Sequence, residues 1–271
     1  MSHRKALRTL IALAPPVLLS IGLAEAGLCA VRSVCSPEVL RESNGPVGDY
    51  LQTLGSVYAV LLAFVVFVVW SQFNDARTYV EREANELVDL FRCARGLPRA
   101  ERERVQRRLA AYVDGVLARE WDAMECGDES VFEELSGLLD RLWDDLHVFE
   151  PVTECTKAIH SDMLSRFNDL SDGRTNRLTS AVLKIPLAMK ILLYAGATIM
   201  VGSVCLFSIE RFWVHALLIG SLAGALSHVL YLIHDLDDCF SGDWQVPRAA
   251  FLRVQTYMSG SLDSEESAPA A

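Results

Sequence analysis

No segment of this sequence alternates apolar and polar residues at the period of a β-strand, and no motif marks a catalytic centre. A glycine-rich phosphate loop is missing, as are any Cys-x-x-Cys pair and any cysteine–histidine spacing suited to zinc. Basic runs interleaved with aromatics are missing too. With 25 Lys+Arg against 35 Asp+Glu and a pI near 5.1, the chain lacks the footprint of a nucleic-acid binder. These absences exclude a sheet protein, set nucleic acid aside as a partner, and leave no expectation of an enzyme, a cofactor or a resident metal.

Charge is also missing, but only locally. The chain is 51% hydrophobic with a mean hydropathy of +0.24, too apolar for an ordinary soluble domain, yet 22% of it is charged. Leu51 to Trp70 carries no charge and is long enough as a helix to cross roughly 30 Å of hydrocarbon. No proline interrupts the chain between Pro46 and Pro98. Past Trp70 the helical period continues through Val80, Ala84, Leu87, Val88 and Phe91, now with charges between them. Residues 50–96 therefore read as one helix that spans a membrane and runs on into a soluble domain.

Three further apolar runs complete four spans. Residues 1–49 hold a basic tip (Arg4, Lys5, Arg8), an apolar run from Thr9 to Val31 and an external loop. That run is a retained helix or a secretory signal; Ala24-Glu25-Ala26 fits a cleavage site, whereas Pro15-Pro16 and the apolar residues Leu28 to Val31 favour retention. Residues 186–234 form a tight hairpin of two spans, Ile191 to Ile209 and Phe212 to Ile233. Between the spans, residues 97–185 read as amphipathic helices: one from Pro98 to Gly127, one from Ser130 to Pro151, and one from Thr153 to Asp172, ending at Gly173. Residues 235–271 form a tail with a short helix from Pro247 to Met258 and a disordered acidic end. The fold class is an all-α polytopic membrane protein with four transmembrane helices and a cytosolic helical domain.

Basic residues crowd the span ends on one side (Arg4, Lys5, Arg8, Arg77, Arg82, Arg174, Arg177, Lys184, Arg248 and Arg253) and thin to Arg32, Arg41 and Arg211 on the other. That asymmetry predicts a multi-pass protein of a bacterial cytoplasmic membrane with both termini and the central domain cytoplasmic. Cys29 and Cys35 share the external loop and form a small disulfide or stay free thiols.

Several polar residues stand out. Asp235, Asp237 and Asp238 lie just past a helix C-terminus, where the dipole is already negative, so a partner is expected: Arg174 and Arg177, or a bound Ca²⁺. His228 lies inside the last span and shares a face with Gly224, which suggests a hydrogen bond to another helix or a proton-sensitive role; His215 reads as incidental. Glu83 and Glu120 sit on soluble-domain helices, and salt bridging to the arginines is the better reading than acid–base chemistry.

The motifs Trp70-Ser-Gln-Phe-Asn-Asp-Ala-Arg77 leading to Glu83-Ala-Asn85, the pair Glu120-Trp121, Arg174-Thr-Asn-Arg177, and Leu236-Asp-Asp-Cys-Phe240-Ser-Gly242 resemble, in this order, the bacterial bestrophin-like domain family. The resemblance covers roughly residues 50–257 and departs at Cys239, where the family usually has proline. It implies a homo-oligomeric ion channel, pentameric and anion-conducting by analogy with bestrophins, in contact with membrane lipid and inorganic ions. Its second span would line the pore, with Phe64 and Phe67 as candidates for a hydrophobic constriction; the plain alternative is ordinary packing or lipid-facing aromatics. From Phe73 to Ile185 there are 16 Lys+Arg and 23 Asp+Glu, an acidic excess (23 − 16 = 7) that favours cations in any vestibule the domain lines. The alternative function is a non-conducting scaffold or sensor whose helical domain binds a partner.

Overall fold

The computed structural model describes residues 3–41 and 44–266; among these there is no strand. The chain divides into two compact units, one built from the residues up to Ser71 together with Lys184–Asp237, the other from Gln72–Leu183 together with the residues after Asp237.

The first unit holds α1 (His3–Val34), the short α2 (Pro37–Arg41), the start of α3 (Asn44–Cys93), α8 (Leu187–Cys205) and α9 (Phe212–Leu236). Four of these helices are long and apolar enough to cross a membrane. Helix α3 starts at Asn44, six residues before the expected Tyr50. Pro46 fits there because a first-turn residue has no N–H to contribute to the helix ladder. Helix α1 packs along α9, where Gly220 and Gly224 make room: a Cβ at Gly224 would lie 3.3 Å from Ile21, and one at Gly220 would lie 3.1 Å from the Glu25 carboxylate. Helix α8 closes on α3 in the same way. Gly196 lies under the Tyr58 ring, and the Tyr58 hydroxyl donates to the Leu193 carbonyl at 2.6 Å. The turn between α8 and α9 is tied to the start of α3 by Asn44, which exchanges two hydrogen bonds with the Ser208 backbone at 2.8 and 3.2 Å.

The second unit continues α3 and adds α4 (Arg99–Gly115), a five-residue π-helical turn (Val116–Glu120), α5 (Trp121–Cys126), α6 (Ser130–Val148), α7 (Glu154–Val182) and α10 (Ala249–Glu266). Its core gathers the apolar faces of all these helices, including Leu87, Leu90 and Phe91 of α3, Leu109 and Val113 of α4, and Leu135 and Leu142 of α6. Gly127 ends α5 in the left-handed conformation at φ 72°, which only glycine adopts without strain.

Three helix ends differ from the sequence expectation. Helix α7 does not stop at Gly173 but runs nine residues on to Val182, because that glycine is a packing device: a Cβ there would sit 3.3 Å from the Glu83 Cα of α3. Helix α10 continues past Met258 to Glu266, so the expected disorder does not begin at Ser259. The part of that tail from residue 267 on lies outside the described residues. All seven cysteines are free, so Cys29 and Cys35 form no disulfide.

Candidate functional site

Two features of the chain bear on function: a buried charge network in the second unit and an exposed apolar row on α3.

The network begins with helix register. Glu83 lies on the face of α3 that carries Val80, Ala84 and Leu87 into the core, and Arg174 and Arg177 are one turn apart on the inward face of α7. The π-helical turn widens one loop of backbone and delivers Glu120 to the same place. Arg177 donates to Glu83 at 2.6 and 3.1 Å and to Glu120 at 2.6 Å, with none of the three side chains exposed. Arg174 pairs with the other oxygen of Glu120 and donates to the Ser136 hydroxyl at 2.9 Å and the Phe132 carbonyl at 2.8 Å. The Tyr112 hydroxyl completes the set by donating to Glu83 at 2.6 Å. Two carboxylates thus meet two guanidiniums and the charge cancels, the condition under which buried ions are tolerated.

Electrostatics follow from this geometry. Burial and then the adjacent Glu83 carboxylate push the Tyr112 hydroxyl well above its ordinary range. For Arg177 burial opposes the charge, but Glu83 and Glu120 outweigh it and the guanidinium is held well above its usual value. Both groups keep their neutral-pH state, which suits structure rather than proton transfer. The motif residues Trp121 and Phe240 are fully buried and meet edge to face at 5.8 Å, and Phe251 touches Trp121 at 5.9 Å. Gly242 follows in the left-handed region at φ 78°, turning the chain back towards α10. The absence of proline before Phe240 does not disturb this turn: the Val246 N–H closes onto the Cys239 carbonyl at 2.8 Å. Arg77 and Asn85 lie outside the network; Arg77 makes an exposed pair with Glu81 at 3.2 Å, and Asn85 is exposed.

The expected partnering of the tail aspartates is corrected. Arg174 and Arg177 hold Glu120 and Glu83, and Asp237 pairs instead with Lys190 at 2.7 Å while accepting from the Ile185 N–H at 2.7 Å. Lys190 begins α8 where α9 ends, so a hairpin of the two helices brings it to the negative end of the α9 dipole. Asp235 is also buried, and Asp238 is half-buried. Among the described residues no three His, Cys, Asp or Glu side chains converge as metal ligands.

The two span histidines exchange roles. His228 is exposed, and among the described residues no hydrogen bond reaches it; its neighbour Ser227 makes the link between helices, bonding Ser20 at 3.0 Å and the Pro16 carbonyl at 3.3 Å. His215 is fully buried, with Nε2 2.9 Å from the Val204 carbonyl and Nδ1 3.2 Å from the Arg32 guanidinium, which also donates to the Ile209 carbonyl. Its proximity to the hairpin turn, where carbonyls are left over, was the available signal. Tyr112 was missed because one tyrosine in an apolar stripe reads as core.

The row on α3 is Val57, Val60, Phe64 and Phe67, exposed by 65, 72, 58 and 68%. Its 3-4-3 spacing places it on one side of the helix, away from the buried Tyr58, Val65 and Val69. Phe64 and Phe67 are roughly 60° apart around the axis, close enough to share that side.

Four apolar spans and a helical unit closed by an internal charge network define an all-helical polytopic membrane protein. The chain belongs to the bestrophin-like domain family, whose model matches residues 18–251. Solved structures share the fold at low identity. A point variant of a bacterial bestrophin homologue from Klebsiella pneumoniae matches with TM-score 0.69 and 14% identity, over 91% of this chain and 99% of that one. A second structure of a bestrophin homologue from that organism, solved by zinc phasing, matches with TM-score 0.68 and 14% identity over 94% and 98%. A variant described as a membrane protein matches with TM-score 0.70 and 13% identity over 90% and 96%. A search of curated proteins returns no match.

Proposed function

We propose that this protein is a homo-oligomeric ion channel of a bacterial cytoplasmic membrane, with α3 lining the pore. The observation that carries the reading is the exposed apolar row Val57, Val60, Phe64 and Phe67 on the side of α3 opposite the buried Tyr58, Val65 and Val69. A ring of copies presenting that row to a common axis would make an apolar neck, with Phe64 and Phe67 as the constriction that gates by dewetting. Family membership supports a ring, and a pentamer follows by resemblance. Anion conduction likewise follows by resemblance, against the acidic excess of the helical unit. The basic residues at the span ends support cytoplasmic termini.

Single cysteines replacing Val57, Val60, Phe64 or Phe67 in a cysteine-free background test the lining. Reconstituted in liposomes, these variants are expected to react with a water-soluble thiol reagent and to lose ion flux on doing so. Flux that persists after complete modification at all four positions removes α3 from the pore wall. No flux from any folded, oligomeric preparation would favour the scaffold reading instead.

A further inference from the structure

His215 is fully buried in the first turns of α9 and holds the end of α1 beside the α8–α9 turn, a contact the channel reading does not use. We propose that it is an acid-sensitive latch: the neutral ring accepts from Arg32 and fastens α1 to the turn, and protonation at Nδ1 releases Arg32. The proposal rests on the packing of the first unit alone and not on conduction.

Donors and acceptors fix the form of the ring. A guanidinium only donates, so the His215 Nδ1, 3.2 Å from Arg32, is an acceptor and carries no proton. A backbone carbonyl only accepts, so Nε2, 2.9 Å from the Val204 carbonyl, carries the proton. One neutral tautomer satisfies both neighbours. The imidazolium satisfies the carbonyl alone and turns a charged N–H towards a guanidinium.

Arg32 is where that change is felt. The guanidinium nitrogen that meets His215 also donates to the Ile209 carbonyl, and the guanidinium carbon lies 5.4 Å from the centre of the Phe212 ring. One side chain of α1 thus gathers the turn and the start of α9. It is half-buried, and Ser33 and Val34 beyond it are exposed, so it has somewhere to go when the ring takes a proton. Because only the neutral ring accepts from Arg32, acid favours the released arrangement. Asn44 keeps its two bonds to Ser208, so release frees the end of α1 and leaves the start of α3 in place.

The other ionisable groups around the latch are placed differently. Helix α1 adds Glu25, whose carboxylate lies beside Gly220, more than a turn deeper along α9, and α8 adds Cys205. Glu210 and Arg211 of the turn, Glu38 and Arg41 of α2 and Asp49 of α3 are all exposed. Among these, Glu210 and Arg41 pair at 3.9 Å, an exposed contact that contributes little and is the main competing acid-sensitive link.

The test uses the full-length protein in lipid nanodiscs, labelled with ¹⁵N at histidine and arginine, so that the His215 ring is identified by its contact with a guanidinium. At about pH 7.5, above the ordinary histidine range, it is expected to show a protonated Nε2 and a bare Nδ1. At about pH 4.5, below that range, it should be an imidazolium. Amide exchange across residues 30–41, corrected for its intrinsic pH dependence, should then be several-fold faster, while exchange across residues 219–229 stays unchanged. His215→Gln keeps an acceptor and a donor but takes no proton, so its acid response should vanish, whereas Glu25→Gln and Glu210→Gln should retain it. If His215→Gln fails to fold, the wild type decides, because exchange must rise over the same pH interval in which the ring takes its proton. A proton on Nδ1 at neutral pH, a ring still neutral in acid, faster acid exchange that survives in His215→Gln, or protonation without faster exchange would each overturn the proposal.

Discussion

Arg177 clasps Glu83 through two guanidinium nitrogens at 2.6 and 3.1 Å, with both side chains sealed from solvent. The pair joins α7 to α3, so it fixes how those helices meet within the second unit. Removing one partner leaves the other charge buried without its counter-ion, at a cost of about 3–5 kcal/mol. Arg177→Met or Glu83→Gln should therefore lower the thermal midpoint by about 6–20 °C in detergent, followed by circular dichroism. The double variant Glu83→Met with Arg177→Met should lose less than the sum of the single effects, and additive losses would show that the two residues act separately.

Tyr112 gives the network a pH signature. Its folded pKa lies above the unfolded value near 10, so its contribution is complete below about pH 10 and is lost as pH rises through the folded value. Wild-type stability should fall above about pH 10, and Tyr112→Phe should flatten part of that decline. An unchanged alkaline slope in the variant would assign the loss to other groups.

The two glycines of α7 and α10 predict opposite signs. Gly173→Ala gains about 1 kcal/mol of helix propensity but drives a methyl group towards Glu83 backbone that cannot yield, so a net loss of about 1–3 kcal/mol is expected. Gly260→Ala meets open space in a helix interior and should stabilise by about 0.5–1 kcal/mol. Chemical denaturation of both variants side by side checks the pair.

The spans and the long α3 were legible because absence of charge and unbroken periodicity are local signals, and Glu83, Glu120, Arg174 and Arg177 could be singled out by residue type. Their pairing was not. Which of the arginines each acid meets depends on how α3, α7 and the π-helical turn converge, and no sequence period records that, so the expected salt bridging of Glu83 and Glu120 to arginines holds while the expected pairing of Arg174 and Arg177 with the tail aspartates does not. The end of α7 was misplaced for a related reason: Gly173 has the composition of a stop signal, and only the approach of Glu83 shows that it serves packing. His215 and His228 look alike in an apolar run, and only the hairpin turn distinguishes the one that finds carbonyls from the one that does not.

The most direct test of the account is current across a planar bilayer under a KCl gradient, comparing wild type with Phe64→Ala. The account predicts a wild-type conductance that the smaller side chain enlarges, with a reversal potential that reports the sign of the permeant ion. A silent bilayer from folded, oligomeric protein, or a conductance indifferent to Phe64→Ala and to Phe67→Ala alike, would contradict a pore lined by α3.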